Sequence, residues 1–288
     1  MEKPNFNCLS VELNKAFCNK WFVVALMVGI VLAAISACSQ IERYLQYVSL
    51  NFNEAKYYPP HLYNCFGMWM SVEFVNPTSL LFYRLAPLLA TVPFSWSIGE
   101  ELRCGYSAQI RARVSSSSCI ASKLAASFVV GGVVIVVPQL LNIAMIACFV
   151  PAYTPEITDA MYLGIFHDNL FSGLFYARPV LYVAAYCILD FLLCGLWAAA
   201  VSCFSFFARN RVLTLSVPYV MLVVVQVVNE RIFLMLGGIK GMQLSLFENL
   251  RAATSMYVQS WDVIIAEFAL LMLYVVVCAL VMRKSDLI

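Results

Sequence analysis

The chain has 288 residues, of which 62% are hydrophobic and only 12% charged, and its mean hydropathy is +0.83. Soluble domains carry about 25% charged residues, so disorder, a nucleic-acid-binding domain and an ordinary cytosolic enzyme are excluded. A formal net charge of +2 is too small to attract a polyanion, and no nucleic-acid partner is expected. What remains is an all-α integral membrane protein, multi-pass in a cell membrane and solvated by its bilayer.

Residues 1–20 read as a cytoplasmic N-terminal segment. Leu9, Leu13 and Phe17 recur every four residues and lead up to Trp21, while Glu12, Lys15 and Asn19 fall on other faces. The spacing predicts an amphipathic helix over 10–20 lying in the interface plane, with Glu12, Lys15, Phe17, Lys20 and Trp21 as its characteristic residues. The alternative is a plain extension of the first span.

Residues 21–288 then form the transmembrane domain. A span needs about 20 mostly apolar residues. Stretches near Trp21–Cys38, Leu80–Ile98, Leu124–Val150, Pro179–Phe207, Val212–Asn229 and Trp261–Met282 qualify, which predicts six transmembrane helices. Ile35-Ser36-Ala37-Cys38 resembles a lipoprotein cleavage site, but the polar stretch before the first span is long for a signal peptide and five more spans follow.

Between the first two spans lies the largest outer loop, 39–79, rich in tyrosine, phenylalanine and tryptophan. Aromatic side chains favour the membrane–water boundary, so this loop is expected to cap the bundle, or else to touch an amphipathic cargo. The inner loop 99–123 is the densest polar stretch, reading Gly99-Glu100-Glu101-Leu102-Arg103-Cys104-Gly105-Tyr106 and then Ile110, Arg111, Arg113, Ser115–Ser118 and Lys123. Glu101 and Arg103 stand too close to pair along one helix face. The loop is therefore expected to show charge in several directions, as a docking surface does. The plainer reading is a solvated loop obeying the positive-inside rule. After Asn229 the sequence stays apolar but is broken by Gly237, Gly238 and Gly241, which predicts a re-entrant or interfacial segment across 230–260.

Lysine and arginine set the orientation. Eleven of them fall in roughly 56 inner-loop residues, and six in about 100 outer-loop residues, which predicts cytoplasmic N- and C-termini. Arg84, Asp190 and Glu267 lie within spans. An Asp at a helix centre costs about 2.5–3.5 kcal/mol on insertion, which nine Val, Ile, Leu and Phe between Val180 and Leu196 offset at ~0.3–0.6 kcal/mol each. Such residues mark a substrate path or proton carrier, or else tie helices together. By depth, Glu267 and Arg84 are expected to pair.

The eleven cysteines show no CxxC and no Cys/His zinc spacing, so neither a disulfide framework nor a metal site is expected. No internal repeat is visible. The sequence has no GxxxxGK[ST] phosphate loop, GxSxG elbow or HExxH. An intramembrane protease is a poor fit, because His61 and His167 fall in outer loops, across the membrane from Glu100. No catalytic residue is expected, and the chain is read as not an enzyme.

The run Leu85-Ala86-Pro87-Leu88-Leu89-Ala90-Thr91-Val92-Pro93-Phe94-Ser95 leads into Glu100/Glu101, Gly105-Tyr106, Ile110, Arg113 and Lys123. That order, with the opening Glu12, Lys15-Ala16-Phe17 and Lys20-Trp21-Phe22, resembles the permease subunit of ABC-2 type ABC transporters. Ser115–Ser118 depart from that family's more basic and aromatic pattern. The resemblance implies that the segment 99–115 carries a coupling helix, with Glu100, Glu101, Arg103, Gly105, Tyr106, Ile110 and Arg113 as contacts to an ABC ATP-binding subunit. It implies residues 10–20 as the connecting helix, and a second permease copy or a paralogous permease as partner. ATP and magnesium would be bound by the partner ATPase and no cofactor by this chain. The cargo would be a peptide, drug, lipid or glycan moved by alternating access. An ion-coupled secondary transporter and a non-transporting scaffold or sensor are the competing readings.

Overall fold

The computed structural model describes residues 6–53, 63–73, 75–105, 116–235, 244–253 and 259–284. Among them there is no strand. The helices in chain order are α1 (Phe6–Phe17), α2 (Lys20–Asn53), α3 (Pro77–Thr91), α4 (Ser97–Arg103), α5 (Ser116–Ala147), α6 (Ala160–Leu163), α7 (Ser172–Ala177), α8 (Pro179–Ala208), α9 (Arg211–Met235), α10 (Leu246–Asn249) and α11 (Trp261–Lys284). Five of these, α2, α5, α8, α9 and α11, are long and apolar enough to cross a membrane. The protein is thus an all-α fold of the membrane-embedded kind.

Helix boundaries follow local chemistry. The Asn19 side chain accepts from Trp21 N at 3.1 Å, so α2 starts afresh after a break at Cys18. Asn76 accepts from Thr78 N at 2.9 Å, ahead of Pro77 at the first position of α3. Asn210 accepts from Val212 N at 3.0 Å to open α9. The preceding helix α8 closes at Arg209, whose φ of 47° is left-handed.

Two differences from the sequence expectation stand out. The helix α2 runs on through Asn53, 34 residues in all, or about 51 Å. It takes up much of what reads as the first outer loop. The stretch Leu80–Ile98 is not one helix: α3 stops at Thr91, a turn spans 92–96, and α4 follows. At 15 residues, α3 is about 22 Å long, short of a ~30 Å hydrocarbon core.

The hub of the bundle is α8, which packs on α5 most extensively and also on α3, α4, α9 and α11. Close approach depends on small residues. A Cβ on Gly131 of α5 would lie 2.5 Å from Ala198 Cβ, and one on Gly195 of α8 would lie 2.6 Å from Phe128 O. Beside them Ser95, Ser127 and Ser202 all donate to Ala198 O, at 2.9, 3.1 and 2.9 Å. Lipid offers helices little hydrophobic reason to associate, so small residues and hydroxyl bonds carry the contact.

The bundle has two unlike ends. At one, Ile98, Ile120, Leu124, Cys203, Phe206, Cys278 and Met282 form a small apolar cluster. Helix α1 adds Ala16 to a second cluster with Phe94, Ala126 and Val130. At the other, segments 63–73, 148–178 and 244–253 fold into a cap continuous with the main core, where Trp69 and Met70 are fully buried. Ala252 N donates to Ser71 O at 3.0 Å, and Cys65 N to Pro151 O at 3.1 Å, stitching the cap together. Burial pushes the Cys65 thiol up to about 11. The described aromatic residues of the first outer loop thus pack into this cap: Tyr47 stacks on Tyr63 at 4.0 Å, and Trp69 donates to Gln139 O at 3.3 Å.

Candidate functional site

At the α1 end, four charged side chains from three helices converge. Lys123, two turns inside α5, lies 2.8 Å from Glu12 Oε1 of α1 and also pairs with Glu101 of α4. Lys15 pairs with Glu101 as well and lies 3.9 Å from Glu12. Glu12, Glu101 and Lys123 are 4%, 8% and 6% exposed. Two carboxylates and two ammonium groups balance, which is what lets charges sit in so dry a place.

The neighbouring Glu100 faces outward. It pairs with Arg211 of α9 and lies 3.6 Å from Arg103. The Arg211 guanidinium holds the Glu100 carboxyl below the ordinary 4.5, and it also sits 3.8 Å over the Trp96 ring. Gly99 presses α4 onto the end of α8: its N–H donates to Ser205 Oγ at 3.2 Å, and a Cβ there would meet Ser205 O at 2.4 Å. Among residues 97–105, Arg103, Cys104 and Gly105 are the well-exposed ones.

These positions refine the sequence reading. Glu101 and Arg103 do not pair, but Glu101 is not displayed outward either; it points into the buried cluster. Of the α1 residues, Glu12 and Lys15 join that cluster, and Phe17 packs edge-on to Phe22 at 5.1 Å. Lys20 and Trp21 are exposed. Tyr106, Ile110 and Arg113 lie outside the described residues, as do Gly237, Gly238 and Gly241. The sequence offers no partner for Lys123, although an ionisable residue in an apolar helix is itself the signal that one is needed.

The intramembrane charges separate into two kinds. Asp190 is fully enclosed at the middle of α8. Gln139 Nε2 of α5 donates to Asp190 Oδ2 and lies 3.2 Å from Tyr83 Oη of α3. Nearby, Asn142 Nδ2 donates to Ala33 O at 2.9 Å, and Met70 N to Asn142 Oδ1 at 3.0 Å. The amide-rich core ties α2, α3, α5, α8 and the cap together.

Glu267 does not pair with Arg84, contrary to the expectation from depth. Arg84 lies 3.8 Å from Glu230 at the end of α9. Glu267 instead accepts from Asn249 Nδ2 of α10 at 2.9 Å. The reason is the fold-back of 244–253, which brings Asn249 against α11 about two turns below its start. Glu267 also lines an open cleft of about 400 Å³ between α8, α9 and α11, whose other walls include Trp197, Leu222, Leu246, Ala266 and Leu270. Both α9 and α11 lean on α8, and the cleft lies between them.

Among the described residues no group of three or more His, Cys, Asp or Glu is arranged to hold a metal ion. No protein-family model, curated protein or solved structure matches this chain.

Proposed function

We propose that this chain is the membrane-spanning subunit of an ATP-driven exporter of the ABC-2 type, working with a separate ATP-binding subunit and a second permease. The observation that carries the reading is α4. It is a short charged helix at one bundle end, fastened to α1 and α5 through Glu101, to α8 through Gly99 and to α9 through Glu100. A push on such a helix is passed directly to four others. Arg103, Cys104 and Gly105 face outward beside the segment 106–115, where the motor would dock. In this reading α3 and the turn 92–96 make a sixth crossing that ends before α4, both chain termini lie on the cytoplasmic side, and α1 lies along the inner boundary. Motor closure shifts the helices between two states only through contacts that differ between them.

The test is gentle purification from native membranes, with mass spectrometry of what copurifies. An ATP-binding subunit in near-equal amount, lost on Arg103→Glu while the melting temperature is kept, supports the reading. Repeated recovery of an intact complex without an ATPase overturns it. An ion-coupled carrier is the second reading, favoured by one observation: Asp190 Oδ1 is buried without a hydrogen-bond partner among the described residues.

A further inference from the structure

The cleft between α9 and α11 has an unusual electrostatic character. Its described walls are apolar apart from Asp262 and Glu267, and no lysine or arginine is among them. Glu12 and Glu101 have Lys123 against them, and Glu230 has Arg84. Among the described residues, Glu267 is met by the neutral Asn249 amide, which takes one carboxylate oxygen, and by no cation. A carboxylate beside an apolar cavity is costly without a counter-charge. Asp190 also has no cation against it among the described residues, but it is fully buried, whereas Glu267 looks onto open volume.

The size fits a small guest. Ligand pockets run from about 300 to 1,000 Å³, and this one holds about 400 Å³. Leu222, Leu270, Leu271 and Trp197 offer an apolar bed. The geometry points to a binding site for a small amphipathic ammonium cation, its amine on Glu267 and its apolar body between α9 and α11. Asp262, five positions nearer the start of α11 and exposed, gives an entering cation a first point of attraction. Binding itself does not depend on an ATP-driven motor. If the proposed function holds, the site is where cargo is selected, and the cargo class is cationic amphiphiles.

The test uses the full-length chain with its copurifying partners, in phosphatidylcholine nanodiscs. The probe is dansylcadaverine, a primary amine with an apolar fluorophore, and its uncharged control is N-butyl dansylamide. Polarisation of the directly excited dansyl group reads binding. The cation should bind saturably, and Glu267→Gln should weaken it about tenfold or more, the scale of a charge-assisted hydrogen bond. The amide still accepts from Asn249, so the fold-back is preserved. The uncharged control should bind weakly and alike to both proteins. Leu270→Trp, at a position 67% exposed, should fill the cleft and abolish binding without disturbing the fold. Equal binding of the cation to wild type and Glu267→Gln, or binding unimpaired by Leu270→Trp, overturns the proposal. So does an uncharged control as tight as the cation, which would make the cleft a lipid groove. Recovery of an ATPase is scored separately, so failure here leaves the motor reading standing, and the reverse.

Discussion

Lys123 Nζ lies 2.8 Å from Glu12 Oε1, across 111 positions of sequence. The ammonium group also holds Glu101, so one buried lysine joins the N-terminal helix α1, the short charged helix α4 and the long helix α5. Removing it leaves two buried carboxylates to share Lys15, whose side chain is 43% exposed. Lys123→Met should therefore cost roughly 3–5 kcal/mol, the range for breaking a buried ion pair on one side. Thermal unfolding of the detergent-solubilised protein reads this. The triple change Glu12→Gln, Glu101→Gln, Lys123→Met should cost less than the single one. A single variant no worse than Lys20→Ala, at an exposed position, would show the cluster to be idle.

Gly99 sets the seat of α4. A Cβ there would lie 2.4 Å from the Ser205 carbonyl oxygen and 3.3 Å from Arg209 Cα. These are backbone atoms and cannot swing aside. Gly99→Ala should destabilise by about 1–3 kcal/mol, the usual scale of overpacking, and should displace α4. If α4 is the motor contact, copurification of the ATPase falls with it. Unchanged melting and unchanged copurification together would mean that α4 is loosely seated.

Cys104 supplies a chemical handle. It is exposed at the end of α4, whereas Cys65, Cys119 and Cys203 are buried. Cys18, Cys38 and Cys148 are exposed too, so in a background with all three changed to serine a short bifunctional maleimide should, if the proposed function holds, crosslink Cys104 to an ATP-binding subunit in intact membranes. Adducts formed only with a second copy of this chain would place an interface between permeases at α4 instead.

Asp190 and Glu267 should behave differently on neutralisation. Asp190→Asn keeps an acceptor for Gln139 and should leave assembly, and transport if the proposed function holds, nearly unchanged. Asp190→Leu removes it, strands a buried amide donor, and should cost about 1–3 kcal/mol. Loss of transport with intact assembly in Asp190→Asn would move Asp190 from packing to pathway and favour an ion-coupled carrier.

The Glu100–Arg211 pair carries a pH signature. Its carboxyl sits below its ordinary 4.5, so the pair's contribution is present above that value and is lost as pH falls through the lowered one. Wild type should therefore lose more stability than Arg211→Gln on acidification below about 4.5. Parallel melting curves of the two proteins across that window would show that the pair contributes nothing. Because Glu100 is partly exposed, added salt should shrink the difference.

The sequence by itself determined the class of molecule. The run of apolar residues and the near-absence of charge specify a helical membrane protein, because bilayer thickness and backbone hydrogen bonding leave few other choices, but the N-terminal helix could have been separate or an extension of the first span until the Asn19 cap decided it. It also singled out Glu12 and Lys15 on the polar faces of the N-terminal helix, Glu101 in a dense polar loop, and Arg84, Asp190 and Glu267 as ionisable groups within apolar spans, where such groups are rare. Tertiary structure alone decided what those groups do. Hydropathy does not see which helices meet, so it could not tell that Glu101 turns inward to Lys123 while Glu100 turns out to Arg211. Nor could it tell that Arg84 takes Glu230, leaving Glu267 to Asn249 and an open cleft. Helical periodicity fixes a residue's face on its own helix. The partner across the gap depends on crossing geometry, and that is set by where Gly99, Gly131 and Gly195 let two backbones close together.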